Sequence, residues 1–276
     1  MEQQEKEMII TTLVEDGQAQ GFESEHGLSL YLQTPKHKIL FDAGQSDLFL
    51  TNAEKLGVNI AEVDVAVLSH GHYDHGGGLK TFLQKNARAT VYINASAFGE
   101  YYNGDKYIGL DNALLKTPRV RLTDGEFVID EELALLTMPE TVYPVLSHGL
   151  TKRQGRDVLP DDFAHEHYLS VRVGEKRVLF SGCSHRGALN IMAKFAPDVF
   201  VGGFHFIKYA TDGEDKTTLE DTAKQLLSYP TEYYTGHCTG NEQYALLKST
   251  MGNRLHRLTI GKTFTINNKK PMQKRN

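Results

Sequence analysis

The stretch LSHGHYDHGGGL, residues 68–79, places four side chains that can bind a metal close together in the sequence. Side chains two residues apart on an extended strand project to the same side, so His70 and His72 can reach one point. Asp74 and His75 follow in a turn, and the glycines after them let the backbone bend closely around a bound ion. Imidazole and carboxylate ligands suit divalent metals, which convert coordinated water into hydroxide near neutral pH. The stretch therefore predicts a site for one or two metal ions.

The two cysteines of the chain also lie close to histidines. Cys183 stands two residues before His185 in FSGCSH, and Cys238 directly follows His237 in GHCTG. Two cysteines are too few for a disulfide framework, and they fit a reducing compartment. Two unrelated buried thiols are the alternative to a role beside a metal.

Short strands alternate with helices along the parts of the chain that must position these residues. Runs of Val, Ile, Leu and Tyr bounded by Gly and Pro predict three strands between residues 8 and 44, and a helix that ends before Gly57. A buried strand at 63–70 then leads into the histidine stretch. The second half repeats this order. Hairpins followed by strand–helix units, once in each half, predict an α/β fold with a four-layer αββα sandwich.

Length and composition favour one domain over the whole chain. The sequence has 276 residues and is 40% hydrophobic, which is enough for a large core. Residues 99–150 are less regular and are interpreted as an elaboration of the domain at 1–276. The net charge of −5 is spread without long blocks, so neither a nucleic acid nor an anionic membrane is an expected partner.

The N-terminal segment and the hydropathy predict a cytoplasmic, soluble protein. MEQQEKEMIITT lacks the basic start and apolar run of a secretory signal, and no run of about 18 apolar residues occurs in the chain. A small molecule is therefore the expected partner. The oligomeric state is left open.

The stretch HGHYDH resembles the HxHxDH signature of the metallo-β-lactamase superfamily. EHGLSL, ILFDAGQS, FSGCSHRGALNI, VGGFHF and GHCTG are similar to one branch of it, the archaeal dihydropteroate-synthase-like proteins known as 7,8-dihydropterin-6-methyl-4-(β-D-ribofuranosyl)aminobenzene-5′-phosphate synthases. The resemblance spans nearly the whole chain and is weakest over 99–150. It implies an αββα fold. It also implies that His70 and His72 hold a first metal, that Asp74, His75 and His237 hold a second, and that Asp42 orients a ligand histidine.

The sequence departs from the superfamily pattern at FSGCSH. Cys183 stands where most hydrolases of the superfamily have a metal-bridging aspartate, and a further histidine expected before the preceding hairpin is missing. We expect His185 to be an additional ligand and Cys183 to be a less favoured one. The candidates for the missing upstream ligand are His148, Asp162 and His165.

The sequence predicts different roles for the remaining histidines. His205 in GGFHF lies at a strand end and is expected to contact substrate or act as a general acid, with simple packing as the alternative. His26 is placed in a loop that is either near the site or unrelated to it. His165 and His167 are interpreted as surface or packing residues unless His165 is the upstream ligand. His37 and His256 are interpreted as structural.

Other side chains are weaker candidates for substrate binding. Three tyrosines could stack on a planar ring, and a short basic run could bind an anionic group. For both sets, packing or a solvated surface is the favoured reading. The tyrosines are Tyr101, Tyr102 and Tyr107, and the basic residues are Lys152, Arg153 and Arg156.

The leading hypothesis is a metal-dependent hydrolase that uses a metal-bound hydroxide on a small phosphorylated, ester or lactone-type substrate. Two zinc ions are the expected cofactor, with manganese or iron as alternatives, and Asp74 could also orient the attacking water. A second hypothesis, which the resemblance implies, is a transferase that joins a pterin diphosphate to an arylamine phosphate. The third is a non-catalytic metal-binding sensor.

Overall fold

The computed structural model of the protein describes residues 7–268. Two seven-stranded sheets form its centre, with helices outside them and a small four-stranded sheet at one side. In chain order the strands and α-helices are β1 (Glu7–Val14), β2 (Ser29–Gln33), β3 (Lys38–Phe41), α1 (Leu48–Lys55), β4 (Val65–Val67), α2 (Tyr73–Gly76), α3 (Leu79–Lys85), β5 (Thr90–Asn94), β6 (Glu100–Asn103), β7 (Lys106–Tyr107), β8 (Val120–Thr123), β9 (Phe127–Val128), β10 (Leu133–Leu136), β11 (Leu150–Gln154), β12 (Asp157–Pro160), β13 (Tyr168–Val173), β14 (Lys176–Phe180), α4 (Ala188–Phe195), β15 (Val199–Val201), α5 (Gly213–Leu227), β16 (Glu232–Thr235), α6 (Asn241–Met251), β17 (Leu255–Arg257) and β18 (Thr263–Asn267).

The two large sheets are built in the same way. In the first, with strand order β18-β1-β2-β3-β4-β5-β8, antiparallel hairpins lead into parallel strands from β3 onward. In the second, with order β17-β16-β15-β14-β13-β10-β9, antiparallel pairing through β13 and β14 leads into parallel β15, β16 and β17. The predicted repetition of one plan in both halves is confirmed.

Apolar side chains fill three layers of packing. The central cluster lies between the sheets and includes Met8, Phe41, Leu169 and Phe180. The outer face of the first sheet packs on α1 and α3, and that of the second sheet packs on α4, α5 and α6. The predicted αββα sandwich is confirmed. Because the central cluster takes residues from both halves of the chain, it supports our proposal of a single domain.

Residues 99–150 are more regular than the sequence suggested. Strand β8 joins the first large sheet and β10 the second, while β6 and β7 pair with β11 and β12 in the small sheet, which extends to Pro160. These strands are short and lie at or near sheet edges, where exposed polar side chains weaken the alternating pattern. The interpretation of this whole segment as an elaboration was therefore wrong for β8 and β10.

The parallel strands bring distant parts of the sequence to one edge of the sandwich. Asp42 follows β3, His70 follows β4, and Cys183 follows β14. In the same way His205 comes after β15, and His237 directly follows the glycine after β16. Carboxyl ends of parallel strands share an edge, and this is where α/β proteins commonly place their binding sites.

His37 links the two sheets through a pair of carboxylates. Its Nδ1 lies 2.9 Å from Asp64, which precedes β4, and its Nε2 lies 2.6 Å from Asp130, which precedes β10. Partial burial lowers the pKa of His37, but the hydrogen bonds to both aspartates outweigh it and raise the pKa above the usual value. His37 is therefore structural, and its charged form stabilises the fold.

Replacing His37 with glutamine is expected to reduce the free energy of unfolding by about 1 kcal/mol in mildly acidic solution. Because the pKa of His37 is higher in the folded than in the unfolded protein, its protonation stabilises the fold. This stabilisation is fully present below the unfolded-state pKa of about 6.5 and is lost as the pH rises through the folded-state pKa. Chemical denaturation at about pH 6 and about pH 9 should therefore show a larger deficit at the lower pH. The control is His256→Gln, because the wild-type His256 ring is partly exposed and bonds to a single carboxylate, that of Glu232. Equal deficits at both pH values would contradict the prediction.

Candidate metal centre

The histidine stretch leaves β4 as a tight loop and becomes the single-turn helix α2. Its glycines are needed for close approach of backbone segments: a Cβ on Gly71 would lie 2.3 Å from the carbonyl oxygen of Ala97, and one on Gly78 would lie 2.2 Å from that of Ala43. The loop is therefore wedged between neighbouring segments, and His70, His72, Asp74 and His75 are all buried.

One group of potential ligands combines Asp74, His75, His237 and Cys183. Nε2 of His75 lies 3.2 Å from Nε2 of His237 and 3.2 Å from Sγ of Cys183. Oδ2 of Asp74 lies 3.4 Å from each of the same two nitrogens. The structure thus brings together the three residues expected at the second metal and adds the cysteine.

Both histidines of this group are fixed from behind by carboxylates. Nδ1 of His75 lies 2.7 Å from Asp42, and Nδ1 of His237 lies 2.6 Å from Asp16. A neutral imidazole that donates through Nδ1 has a lone pair on Nε2. When His75 and His237 are both in this neutral form, the lone pairs on their Nε2 atoms face each other, and a cation stabilises this arrangement. The group therefore fits a metal ion, and Asp42 lies where the resemblance implied.

The other group of potential ligands contains His70, which was expected at the first metal, together with His185 and Cys183. Nε2 of His70 lies 3.3 Å from Nε2 of His185, and their Nδ1 atoms lie 2.9 Å and 3.2 Å from the hydroxyls of Ser69 and Ser147. The ring of His72 packs on both, with centroid separations of 4.6 Å from His70 and 4.9 Å from His185. The two histidines expected at the first metal, His70 and His72, are therefore neighbours of His185, the expected additional ligand.

Cys183 lies at the junction of the two groups. Its sulfur is within 4.8 Å of every other potential ligand atom in each of them, although the sequence made it the less favoured ligand. The backbone N–H groups of His185 and Arg186 donate to the buried carboxylate of Glu166, at 2.8 Å and 3.2 Å, and these bonds hold the loop in place. A thiolate is a strong ligand for zinc, so this position can serve both groups.

The two groups differ in charge. Burial lowers the pKa of His75, but Asp74 and Asp42 outweigh it and raise the pKa to about 9. By contrast, burial and the neighbouring histidines lower the pKa of His70 and of His185 well below the usual value. The carboxylate-containing group favours a positive charge, whereas the other group is held neutral, the form in which imidazole binds metal.

His205 lies in the loop after β15 and faces the group that contains His70, His185 and Cys183. Its ring centroid lies 4.3 Å from that of His185, and its backbone is in the left-handed region, with φ of 57°. Both ring nitrogens are shielded from solvent and have no hydrogen-bond partner within residues 7–268. They are therefore free to contact a bound molecule.

The three candidates for an upstream ligand do not complete either group. His148 and Asp162 are exposed, and Asp162 forms an ion pair of 2.6 Å with Lys152. His165 and His167 are both fully buried, which agrees with the packing alternative and excludes the surface one. Nδ1 of His165 accepts from the backbone N–H of Gly71 at 3.0 Å and its Nε2 donates to Asp161 at 3.1 Å, which occupies both nitrogens.

Several buried or partly buried acids around the histidines were missed from the sequence. Besides Asp16, Glu15 accepts the backbone N–H of His237 at 2.7 Å, and Oδ2 of Asp161 lies 3.8 Å from Nε2 of His72. The adjacent acids at the end of β1 were the available signal for the first two. His26, exposed in its loop, is 3.5 Å from Asp74 and therefore lies near the site.

The cavity over the groups is lined by His205, as expected, but not by the tyrosines or the basic run that were considered for substrate binding. Tyr101 is buried with its hydroxyl bonded to the carbonyl oxygen of Ser96, and Tyr102 and Tyr107 pack on each other. The basic run also lies outside the lining. The lining instead contains Tyr73, Lys106, Ile207 and Lys208, together with residues of both ligand groups.

Residues 25–237 match the family model described as the metallo-beta-lactamase superfamily. The chain belongs to the metallo-beta-lactamase superfamily. In a solved structure of this superfamily, Tm1679, which is described as a metal-dependent hydrolase, 30% of aligned residues are identical and the TM-score is 0.80. That match covers 94% of this chain and 99% of the other.

Two curated relatives from Methanocaldococcus jannaschii match most of the chain. Uncharacterized protein MJ0448 is 28% identical, covering 94% of this chain and all of its own length. The protein named 7,8-dihydropterin-6-methyl-4-(beta-D-ribofuranosyl)-aminobenzene-5'-phosphate synthase is 27% identical, covering 92% of this chain and 95% of its own. The zinc-bound structure of PqqB from Methylobacterium extorquens has a TM-score of 0.58 at 12% identity, which shows the shared fold. Across residues 7–268, none of the helices is both long and apolar enough to span a bilayer.

Proposed function

We propose that this superfamily member is a hydrolase with a two-metal centre. His70, His72 and His185 would hold one ion, Asp74, His75 and His237 the other, and Cys183 would lie between them. The supporting observation is the pair of facing Nε2 atoms of His75 and His237, 3.2 Å apart, with Asp42 and Asp16 behind them. The description of Tm1679 as a metal-dependent hydrolase agrees with this proposal.

Zinc is the metal we propose, because imidazole, thiolate and carboxylate ligands together suit it better than manganese or iron. When bound, divalent ions supply Lewis acidity and activate water at neutral pH. Both cysteines are free thiols, which supports a reducing and therefore cytoplasmic location.

The protein's own residues would orient the reactants and move protons. Asp74 would orient the attacking water, since its Oδ2 lies between two ligand histidines at 3.4 Å from each. His205 would donate a proton to the leaving group from a ring nitrogen, because both its nitrogens are without a partner in the described chain and it lines the cavity. These are acid–base and orienting roles of the kind that side chains supply in hydrolysis.

The cavity supports a small anionic substrate with an apolar or planar body. Lys106 and Lys208 lie in its wall, and Nζ of Lys106 donates to the hydroxyl of Tyr73 at 2.8 Å. Lys208 forms no ion pair among residues 7–268, so its charge is available to a ligand. The aromatic ring of Tyr73 and the side chain of Ile207 also line the cavity and offer apolar contact.

Replacing both Lys106 and Lys208 with alanine is expected to raise KM by about 30-fold, with kcat little changed. Each charged contact is worth about 1 kcal/mol, and binding lost equally in ground and transition states appears in KM. Steady-state kinetics on an anionic substrate and a neutral analogue measure this effect. The control is Lys224→Ala, on the outer helix α5. An equal change for the neutral analogue would contradict an electrostatic role.

The hydrolase proposal is tested by metal analysis and substrate screening. Purified protein would be assayed for bound zinc, manganese and iron, then tested on phosphodiester, phosphomonoester, lactone and thioester substrates before and after chelation. Activity that is lost on chelation and restored by one of these metals is the expected result. A protein that binds metal at the site but turns over none of these substrates would favour the sensor hypothesis instead.

A second candidate is a transferase that joins a pterin diphosphate to an arylamine phosphate. It is favoured by the similarity to the named synthase over 92% of this chain. Displacement of diphosphate by an amine needs electrostatic stabilisation of the leaving group but no attacking water. Release of diphosphate that depends on the amine would support it, and release in the absence of the amine would support hydrolysis.

A further inference from the structure

The chain's two cysteines lie side by side although 55 positions separate them in the sequence. Cys183 is in the loop after β14 and Cys238 is in the turn after β16, and Sγ of Cys238 is 3.7 Å from the carbonyl oxygen of Cys183. Their two sulfurs and a ring nitrogen of His205 are all within 4.8 Å of one another. The fold of the second sheet therefore pairs two thiols.

The neighbouring backbone leaves room for this pair. Gly203, after β15, approaches so closely that a Cβ there would lie 2.3 Å from Sγ of Cys238. Its N–H donates to the carbonyl oxygen of Gly182, next to Cys183, at 2.8 Å, so the two loops are held together. Any larger side chain at Gly203 would displace the sulfur.

Both thiols can be reached by a small molecule from the metal cavity. Cys183 and Cys238 are each only 2% exposed, yet both line the same cavity as His205. A reagent the size of water that enters the cavity meets the two sulfurs together. This location separates them from inert thiols in an apolar core.

We propose that Cys183 and Cys238 are a reversible oxidation site, in which a hydroperoxide oxidises the two thiols to a disulfide between them. One sulfur attacks the peroxide O–O bond and becomes a sulfenic acid, with release of water when the oxidant is hydrogen peroxide. The other sulfur then displaces hydroxide, which leaves as a second water after protonation. Two thiols and one peroxide thus yield one disulfide and two waters, and the sulfurs lose two electrons.

A disulfide between Cys183 and Cys238 would remove the sulfur of Cys183 as a ligand from the proposed metal centre. A disulfide needs an S–S distance of about 2.05 Å and a Cβ separation of about 3.8 Å, and a disulfide sulfur is no longer a thiolate ligand. This consequence rests on the proposed metal centre, whereas the disulfide itself does not. Oxidation would therefore release metal, and reduction would restore its binding.

The test treats the full-length, zinc-loaded protein with increasing hydrogen peroxide. Peptide mass spectrometry without reduction is expected to detect a cross-link between the Cys183 and Cys238 peptides, two hydrogen atoms lighter than the separate thiols. Zinc should be lost in parallel with cross-link formation. Dithiothreitol followed by zinc should restore both the free thiols and the bound metal.

Cys238→Ser separates pairing from general damage, because it removes the partner and keeps Cys183. In this variant peroxide should drive Cys183 to sulfinic acid, which dithiothreitol does not reverse, so zinc binding should not recover. The wild-type cross-link is scored without any variant, so misfolding of the variant leaves the test intact. Sulfinic acid without a cross-link in the wild type, or no oxidation of either thiol, would overturn the proposal.

Two further outcomes separate this inference from the proposed function. A cross-linked protein that keeps its full zinc would overturn the claimed effect on the metal. A protein that binds no zinc before treatment would contradict the metal centre, while the cross-link would still be decided by mass spectrometry.

Discussion

Replacing Asp74 with asparagine is expected to remove most of the hydrolytic activity, with kcat/KM falling on the order of 10³-fold. Its carboxylate lies 3.4 Å from Nε2 of both His75 and His237 and is the acidic member of its ligand group. The neighbouring histidines hold its pKa well below the usual range against the effect of burial. An amide carries no charge, so the ion and the oriented water lose their negative partner. Several kcal/mol of transition-state stabilisation corresponds to a loss of about this size.

The measurement for Asp74→Asn combines steady-state kinetics with metal content per chain. The variant is expected to bind one ion weakly and the other normally, because His70, His72 and His185 are unchanged. Asp124→Asn, exposed in the turn after β8, is the matched control and should behave like the wild type. Full activity in Asp74→Asn with both metals bound would contradict the assigned role.

Replacing Asp42 with asparagine is expected to lower both metal affinity and activity by about 10- to 100-fold. Asp42 accepts three hydrogen bonds, at 2.7 Å each, from the backbone and hydroxyl of Ser69 and from Nδ1 of His75. An amide nitrogen turned toward His75 would donate, which forces the proton of His75 onto Nε2. The nitrogen that faces the ligand group then carries a proton and cannot bind a metal.

Nuclear magnetic resonance of labelled histidine distinguishes this tautomer change from unfolding. Asp42→Asn should show His75 protonated on Nε2, with reduced zinc affinity in a protein that still unfolds cooperatively. Loss of the charged acceptor is also expected to reduce the free energy of unfolding by about 2 kcal/mol, since buried groups lose a bonding partner. A variant with wild-type zinc affinity and an unchanged tautomer would contradict the orienting role of Asp42.

The repeated sheet plan and most of the residues that the fold brings together in the two groups could be predicted because their signals are local. Buried strands such as β4 are short apolar runs, and the spacing of His70, His72, Asp74 and His75 is contained in one loop. His237 and His185 required the resemblance, since no local rule links them to that loop. Their convergence follows from the shared edge of the parallel strands.

Unlike Asp42, the supporting residues Asp16 and Asp161 were not predicted, because their partners come from distant loops. Asp16 is marked only by the adjacent Glu15 and Asp161 by no motif, and their positions beside the histidines become visible only in the fold, where Asp16 lies 2.6 Å from His237 and Asp161 lies 3.8 Å from His72. The tyrosines and the basic run lie outside the cavity lining, in agreement with the favoured packing and surface interpretation. Composition could not show which aromatic and basic side chains line the cavity, because that depends on pairings between distant strands such as β6 and β11. Tyr73 and Lys106 could be found only from the fold.

The most direct test of the metal centre is a crystal structure of the zinc-loaded protein with anomalous data at the zinc edge. We expect two zinc peaks, one bound by His70, His72 and His185 and the other by Asp74, His75 and His237. Each zinc–nitrogen distance should be about 2.0–2.1 Å, and the sulfur of Cys183 should lie between the ions at about 2.3 Å from at least one. Zinc peaks found only at surface sites, with these histidines bonded to water or to each other, would contradict the proposed metal centre.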